Sequence, residues 1–134
     1  MRRWHAVPFA LLSGLMAAQP ASAQPADIAG FSAQLAGDWV DPRVHRCGIV
    51  WVRIAVQAGA IQHFTVTYGN AVPGMTGEIL EIGEDGAARI YNPTLGFEQR
   101  VRFVTPDAHV LERADGVGGV TFVRCPGNDH APGS

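Results

Sequence analysis

Histidines are the side chains of this sequence best suited to acid–base chemistry or metal binding. Apart from His5 near the start, the chain has His45, His63, His109 and His130. None lies four residues from another histidine on a helical pattern, as zinc motifs require. His63 and His109 fall on strand patterns, where a shared face could let the two rings bind a metal or supply a base. Because each is more typically a solvated strand residue, we predict no metal site and no cofactor.

Nucleophilic catalysis has little support in the sequence. Beyond the first 23 residues the only serines are Ser32 and Ser134, and neither lies in a Gly-x-Ser-x-Gly elbow. A disulfide between the two cysteines would remove both thiols. We therefore predict no catalytic residue and a protein that is not an enzyme.

The charged side chains on the predicted strands are better explained as surface residues than as a binding or catalytic site. Arg100 and Arg102 share one strand face and could grip an anion. They are better interpreted as an exposed wall paired with neighbouring glutamates. Glu78 and Glu81 fall on opposite faces of a strand, so they do not form a positioned acid–base pair.

The first 23 residues have the pattern of a secretory signal peptide. Two arginines are followed by an apolar run from Ala6 to Ala18 and by the cleavage motif Ala21-Ser22-Ala23. The apolar run is shorter than a bilayer span and is broken by Pro8. We expect an exported protein, periplasmic or secreted, with no membrane insertion after signal cleavage.

Net charge limits the classes of partner. All ten basic residues are arginines, and Arg2 and Arg3 lie in the predicted signal peptide. The remaining chain has eight arginines against twelve acidic residues, a formal charge of −4. This balance disfavours nucleic acid and anionic membrane surfaces as partners.

Cys47 and Cys125 are the only cysteines. They lack the close spacing of zinc ligands, and an exported chain meets an oxidising compartment. We predict that they form a disulfide. The alternatives are a metal-binding pair and a reactive thiol.

Alternating apolar residues separated by turn signals predict an all-β domain over residues 37–126. The short turns favour a small antiparallel up-and-down barrel. A polar tail, predicted to be disordered, follows at 127–134. The predicted strands, about eight in number, are 38–41, 47–56, 61–68, 76–82, 87–92, 97–104, 109–113 and 120–125.

Residue patterns also predict the structure of two further segments. Residues 24–36 place Ile28, Phe31 and Leu35 on one face of a short helix that could close an end of the barrel. Asp27 is placed to cap this helix. Residues 69–74 are rich in turn residues and are predicted to form the longest loop.

The predicted disulfide conflicts with strand parity. In an even meander, Cys125 at the finish of the last strand lies at the end where the first strand begins. Cys47 follows the first strand and is expected at the opposite end. A miscounted strand, a first segment outside the sheet, or a tail that folds back would each remove the conflict.

The short helix followed by Gly37-x-Trp39 on the first strand resembles the start of lipocalin and calycin-like barrels. The resemblance implies that Trp39 packs across the barrel floor and that the open end takes a small apolar ligand. Gly37-Asp38-Trp39 and Cys47 are also similar to periplasmic metalloprotease inhibitors, which act through an N-terminal tail. The turn 90–96 is similar to one in an uncharacterised family of exported barrels.

Aromatic side chains are the candidates for contacting a ligand. They are equally well explained as core residues, since side chains can fill a barrel of this girth. The candidates are Trp51, Phe64, Tyr68, Tyr91, Phe97 and Phe103.

We expect a non-enzymatic exported barrel that binds a small apolar ligand or a protein partner. The first alternative is a periplasmic protease inhibitor acting through residues 24–36. The second is an envelope structural protein without a ligand.

Overall fold

The computed structural model describes residues 25–127. The predicted signal peptide and residues 128–134 of the predicted tail lie outside the described residues. Within the described part no helix is long and apolar enough to cross a membrane. The elements are α1 (Ile28–Leu35), β1 (Gly37–Val40), β2 (Val50–Gln57), β3 (Ala60–Thr67), β4 (Asn70–Ile82), β5 (Ala88–Asn92), β6 (Phe97–Thr105), β7 (Ala108–Arg113) and β8 (Val120–Arg124).

The eight strands form a closed antiparallel barrel in which each strand pairs with the next. Closure is made by β8, which pairs with β1 through Trp39 opposite Arg124 and Val40 opposite Val123. Closure leaves no unpaired sheet edge, which an open sheet would expose. The predicted all-β up-and-down barrel is confirmed.

The helix α1 closes one end of the barrel, which we call the helix end. Asp27 caps the helix, because its carboxylate accepts a hydrogen bond of 2.7 Å from the backbone N–H of Gly30. Phe31 and Leu35 are buried, and the Phe31 ring lies 5.0 Å from that of Phe103 in the barrel. The predicted helix, its cap and its apolar face are confirmed.

Arg124 at the end of β8 connects α1 to the barrel through side-chain contacts. Its guanidinium donates hydrogen bonds to the carbonyl oxygens of Ala36 and Gln34, at 3.1 and 2.7 Å. It also pairs with Asp107 at 2.9 Å and lies 4.2 Å above the ring of Trp39. These contacts satisfy carbonyls at the helix C-terminus that have no intrahelical partner.

Replacement of Arg124 tests how much its contacts with α1, Asp107 and Trp39 stabilise the protein. We expect Arg124→Met to lower the free energy of unfolding by about 2 kcal/mol, because charge-assisted hydrogen bonds and a cation–π contact are lost. Urea denaturation measures the change. The matched control is Arg113→Met, whose side chain is 70% exposed and pairs with Asp115 at 2.9 Å. This variant should change stability by less than about 0.5 kcal/mol. Equal losses in the two variants would contradict the assignment.

The predicted disulfide joins Cys47 to Cys125, whose Cα atoms are 5.6 Å apart. Cys125 lies beside Asp38 near the start of β1, where its N–H donates to the Asp38 carbonyl at 2.8 Å. The nine-residue connection 41–49 starts at the far end of β1. Because β1 has only four residues, it spans roughly 13 Å, and the connection folds back over the outside of the barrel. The predicted strand count and the disulfide therefore both hold, and none of the three explanations for the conflict was needed.

Beneath this connection lies a second apolar cluster on the outer face of the barrel, which we call the outer cluster. Its residues come from β1, β2, β3, β8 and the two cysteine segments. The buried members are Val40, Trp51, Val66 and Cys125, with Cys47, Phe64 and Val123 packed against them.

The prediction of a loop at 69–74 was wrong, because β4 begins at Asn70 and runs for 13 residues. Proline is normally confined to edges and bulges of sheets since it has no N–H to donate. Pro73 lies opposite Phe64 next to a register shift in the β3–β4 ladder. The side chain of Gln62 donates to the carbonyls of His63 and Gly74, at 2.8 and 3.3 Å, and so satisfies backbone acceptors at the irregularity.

The arginines of β6 lie on a charged outer wall. Arg100 pairs with Asp85 at 2.8 Å, and Arg102 pairs with Glu112 at 3.3 Å. The predicted pairing with a glutamate is confirmed for Arg102, whereas Arg100 pairs with an aspartate, and both arginines are half-buried.

Candidate ligand cavity

The barrel interior contains a cavity of about 210 Å³. The buried side chains of the helix end form its floor, with Leu35 of α1 among the lining residues. Most of the wall is aliphatic, because inward positions of successive strands carry branched side chains. The aliphatic wall consists of Val52, Ile54, Ile61, Ile90, Val101 and Leu111.

Polar side chains line the part of the cavity that lies away from the floor. They are His63 and Thr65 on β3, Thr76 on β4, Asn92 on β5 and Gln99 on β6. Thr65 and Gly74 are exposed, whereas the other lining residues are buried or half-buried. Solvent therefore reaches the cavity beside β3 and β4, and we call this end of the barrel the mouth.

Asn92 is held in place by several contacts. It is 2% exposed, and its side-chain oxygen Oδ1 accepts a hydrogen bond of 3.1 Å from the N–H of Leu95. Its amide nitrogen donates to the Gln99 side chain at 3.4 Å and to the Met75 sulfur at 3.6 Å. The amide group thus has protein partners and marks the polar side of the cavity.

His109 lies on β7, across the barrel from His63 on β3. It is 3% exposed and is surrounded by aromatic rings: Phe122 stacks on it at 5.3 Å, and Trp39 meets it at 74° with 4.3 Å between centroids. Its Nδ1 atom is buried and has no hydrogen-bond partner within residues 25–127. The ring also lines the cavity.

Burial disfavours the charged form of both cavity histidines. Burial, followed by the charges of His63 and Arg124, lowers the pKa of His109 to about 3. Burial also lowers the pKa of His63 below its ordinary value. No aspartate, glutamate, lysine or arginine is among the described lining residues, so the cavity wall carries no formal charge.

The aromatic residues predicted to contact a ligand lie elsewhere. Trp51 and Phe64 belong to the outer cluster, and Phe103 is 1% exposed beneath α1. The other three are partly exposed on the outside and the rim, with Tyr68 at 76%, Tyr91 at 38% and Phe97 at 48%. None of the six is among the described residues that line the cavity.

Trp39, the predicted barrel floor, is fully buried at the helix end. Its indole N–H donates to the Leu35 carbonyl at 2.8 Å, and its ring lies 6.2 Å from that of Phe103. It thus lies between the helix C-terminus and His109, behind the cavity wall.

Sequence reasoning missed the polar side of the cavity. Alternation along β3 places Phe64 and Val66 on one face and His63 and Thr65 on the other. The polar face turns inward, and the apolar face is covered from outside by the connection 41–49. The signal that could have revealed this is Ile61, an apolar residue in register with the two polar ones.

No group of three or more potential metal ligands occurs within the described part of the chain. Comparisons with models of protein families, with curated proteins and with solved structures gave no match. The chain shares with lipocalin-like barrels a closed eight-stranded antiparallel meander preceded by a short helix.

Proposed function

We propose that this protein is a non-enzymatic exported barrel that binds a small, mainly apolar molecule in its interior. The observation that carries the proposal is the cavity of about 210 Å³, which has an aliphatic wall, a few polar groups and an accessible side. Binding sites for small molecules typically combine these features.

The cavity volume limits the size of the ligand. An apolar cavity of about 150 Å³ accommodates benzene. A volume of about 210 Å³ therefore suits one substituted ring or a short aliphatic chain. The resemblance to lipocalin-like barrels supports the same class of ligand.

The packing of α1 weighs against the protease-inhibitor alternative. Phe31 and Leu35 are buried against the barrel, and Arg124 holds the carbonyls of Gln34 and Ala36. Insertion of residues 28–36 into a protease would require these contacts to break. An envelope protein without a ligand is the remaining alternative, and it is distinguished by an empty, non-binding cavity.

Toluene is a suitable probe of the cavity because it is apolar and contains one ring. We expect toluene to raise the melting temperature of the protein and to shift the NMR signals of cavity methyl groups, since a ligand that binds only the folded state stabilises it. Native mass spectrometry of protein purified from its own host would show whether a small molecule co-purifies.

A cavity-filling variant controls for non-specific effects. Val52 lines the cavity, so Val52→Phe should remove most of the toluene response. Val44 lies on the outer connection at 65% exposure, so Val44→Phe adds the same group without filling the cavity and should keep the response. No response in the unmodified protein, or an equal response in Val52→Phe, would refute the proposal.

A further inference from the structure

Among the described residues that line the cavity, His109 carries the one fully buried side-chain nitrogen or oxygen atom without a hydrogen-bond partner. The ring is almost fully buried, and its Nδ1 has no partner within residues 25–127. A neutral imidazole has one N–H donor and one acceptor nitrogen. Buried polar groups usually have partners, and one without them calls for an explanation.

The other polar groups of the cavity either have hydrogen-bond partners in the protein or are less completely buried than His109. Asn92 is bonded to Leu95, Gln99 and Met75, as described above. Thr65 is exposed at the mouth, where water can solvate its hydroxyl. His63, Thr76 and Gln99 are only half-buried. A ligand that reaches the wall at His109 therefore contacts a ring whose Nδ1 is the one buried polar atom without a partner among the described lining residues.

The uncharged wall defines what kind of polar group fits. An ionised ligand would leave water without meeting an opposite charge, which is costly. A hydroxyl group carries no charge and can both donate and accept a hydrogen bond. Either nitrogen of a neutral imidazole can pair with such a group.

We infer that the cavity ligand is a small uncharged alcohol or phenol whose hydroxyl group hydrogen bonds to the imidazole of His109 while its apolar body contacts the aliphatic wall. The inference rests on the proposed function and specifies its ligand class. It adds a specificity-determining residue that faces the cavity from β7.

Phenol and toluene form a matched pair of probes, because they have the same shape and differ in a hydroxyl against a methyl group. The affinity of each is measured by NMR titration for the unmodified protein and for His109→Phe. Phenylalanine keeps an aromatic ring among Trp39, Phe103 and Phe122 but has no hydrogen-bonding group. We expect this change to weaken phenol about fivefold to tenfold and to leave toluene within about twofold.

The outcomes separate the two proposals. If neither probe binds the unmodified protein, the proposed function and this inference both fail. If toluene binds and His109→Phe changes both affinities by the same factor, only the inference is overturned. A loss of phenol affinity in His63→Phe but not in His109→Phe also overturns it, because it assigns the hydroxyl to β3.

A measurement on the unmodified protein covers the case in which His109→Phe does not fold. The ¹⁵N chemical shifts of the His109 ring report hydrogen bonding at each nitrogen. We expect phenol, but not toluene, to move one of these shifts in proportion to the bound fraction. Identical ring shifts with the two ligands at saturation would refute the hydrogen bond. Benzoate and benzylammonium, which are charged at pH 7, should bind at least tenfold more weakly than phenol.

Discussion

Loss of the Cys47–Cys125 disulfide should lower the free energy of unfolding by about 4.5 kcal/mol. The two cysteines are 78 residues apart, and the chain-entropy model relates the stabilisation to the length of the closed loop. The effect is a large fraction of the total stability of a small domain. Urea denaturation of the double variant Cys47→Ala/Cys125→Ala measures the loss.

The unmodified protein treated with a reducing agent is the matched control. It has the same sequence without the covalent link, so its midpoint should fall close to that of the double variant. The disulfide also pins the connection 41–49 over Trp51, which is 4% exposed. Trp51 fluorescence should therefore shift to longer wavelength after reduction. An unchanged urea midpoint on reduction would contradict the stabilising role.

Acid should destabilise the barrel through His109 well above the pH at which carboxylates titrate. The folded-state pKa of His109 is about 3, against an ordinary value of 6.5. Above pH 6.5 the ring is neutral in both states and contributes no pH dependence. As the pH falls below 6.5 the unfolded chain takes up a proton that the folded chain resists, so stability declines until the pH approaches 3. His63 acts in the same direction, since burial lowers its pKa too.

Between pH 6.5 and pH 4.5 we expect His109 to account for a loss of roughly 2–3 kcal/mol, because each pH unit corresponds to about 1.4 kcal/mol per proton. Urea denaturation at several pH values measures the slope. His109→Gln should flatten the profile in this range. His45→Gln, which replaces an exposed histidine on the outer connection, is the matched control. Parallel profiles for the unmodified protein and His109→Gln would refute the assignment to His109.

The outer connection explains why residue patterns alone did not identify the residues that line the cavity. Alternation on β3 separates Phe64 and Val66 from His63 and Thr65, but it does not state which set faces inward. Normally the apolar set faces inward. Here the connection 41–49, which is held by the disulfide, covers the apolar set from outside the barrel. The apolar set is therefore buried without facing inward. The polar set is then free to line the interior.

The irregular start of β4 shows a related limit. Pro73, together with Gly69 and Gly74, predicts a loop, and the local signal is correct in that the ladder is irregular there. The side chain of Gln62 compensates by donating to nearby carbonyls. This compensation comes from a residue on the neighbouring strand and cannot be inferred from residues 69–74 alone.

The eight strands, the closing helix and the cysteine pair follow from the sequence, because period-two alternation, turn residues, the Asp27 cap and the lack of any other cysteine are local signals. The position of the cavity, the inward face of β3 and the meeting of His109 with Trp39 and Phe122 were decided only by the tertiary structure. They depend on barrel closure and on a connection that folds back over the outer face. Contacts between residues so far apart in the chain leave no periodic trace in it.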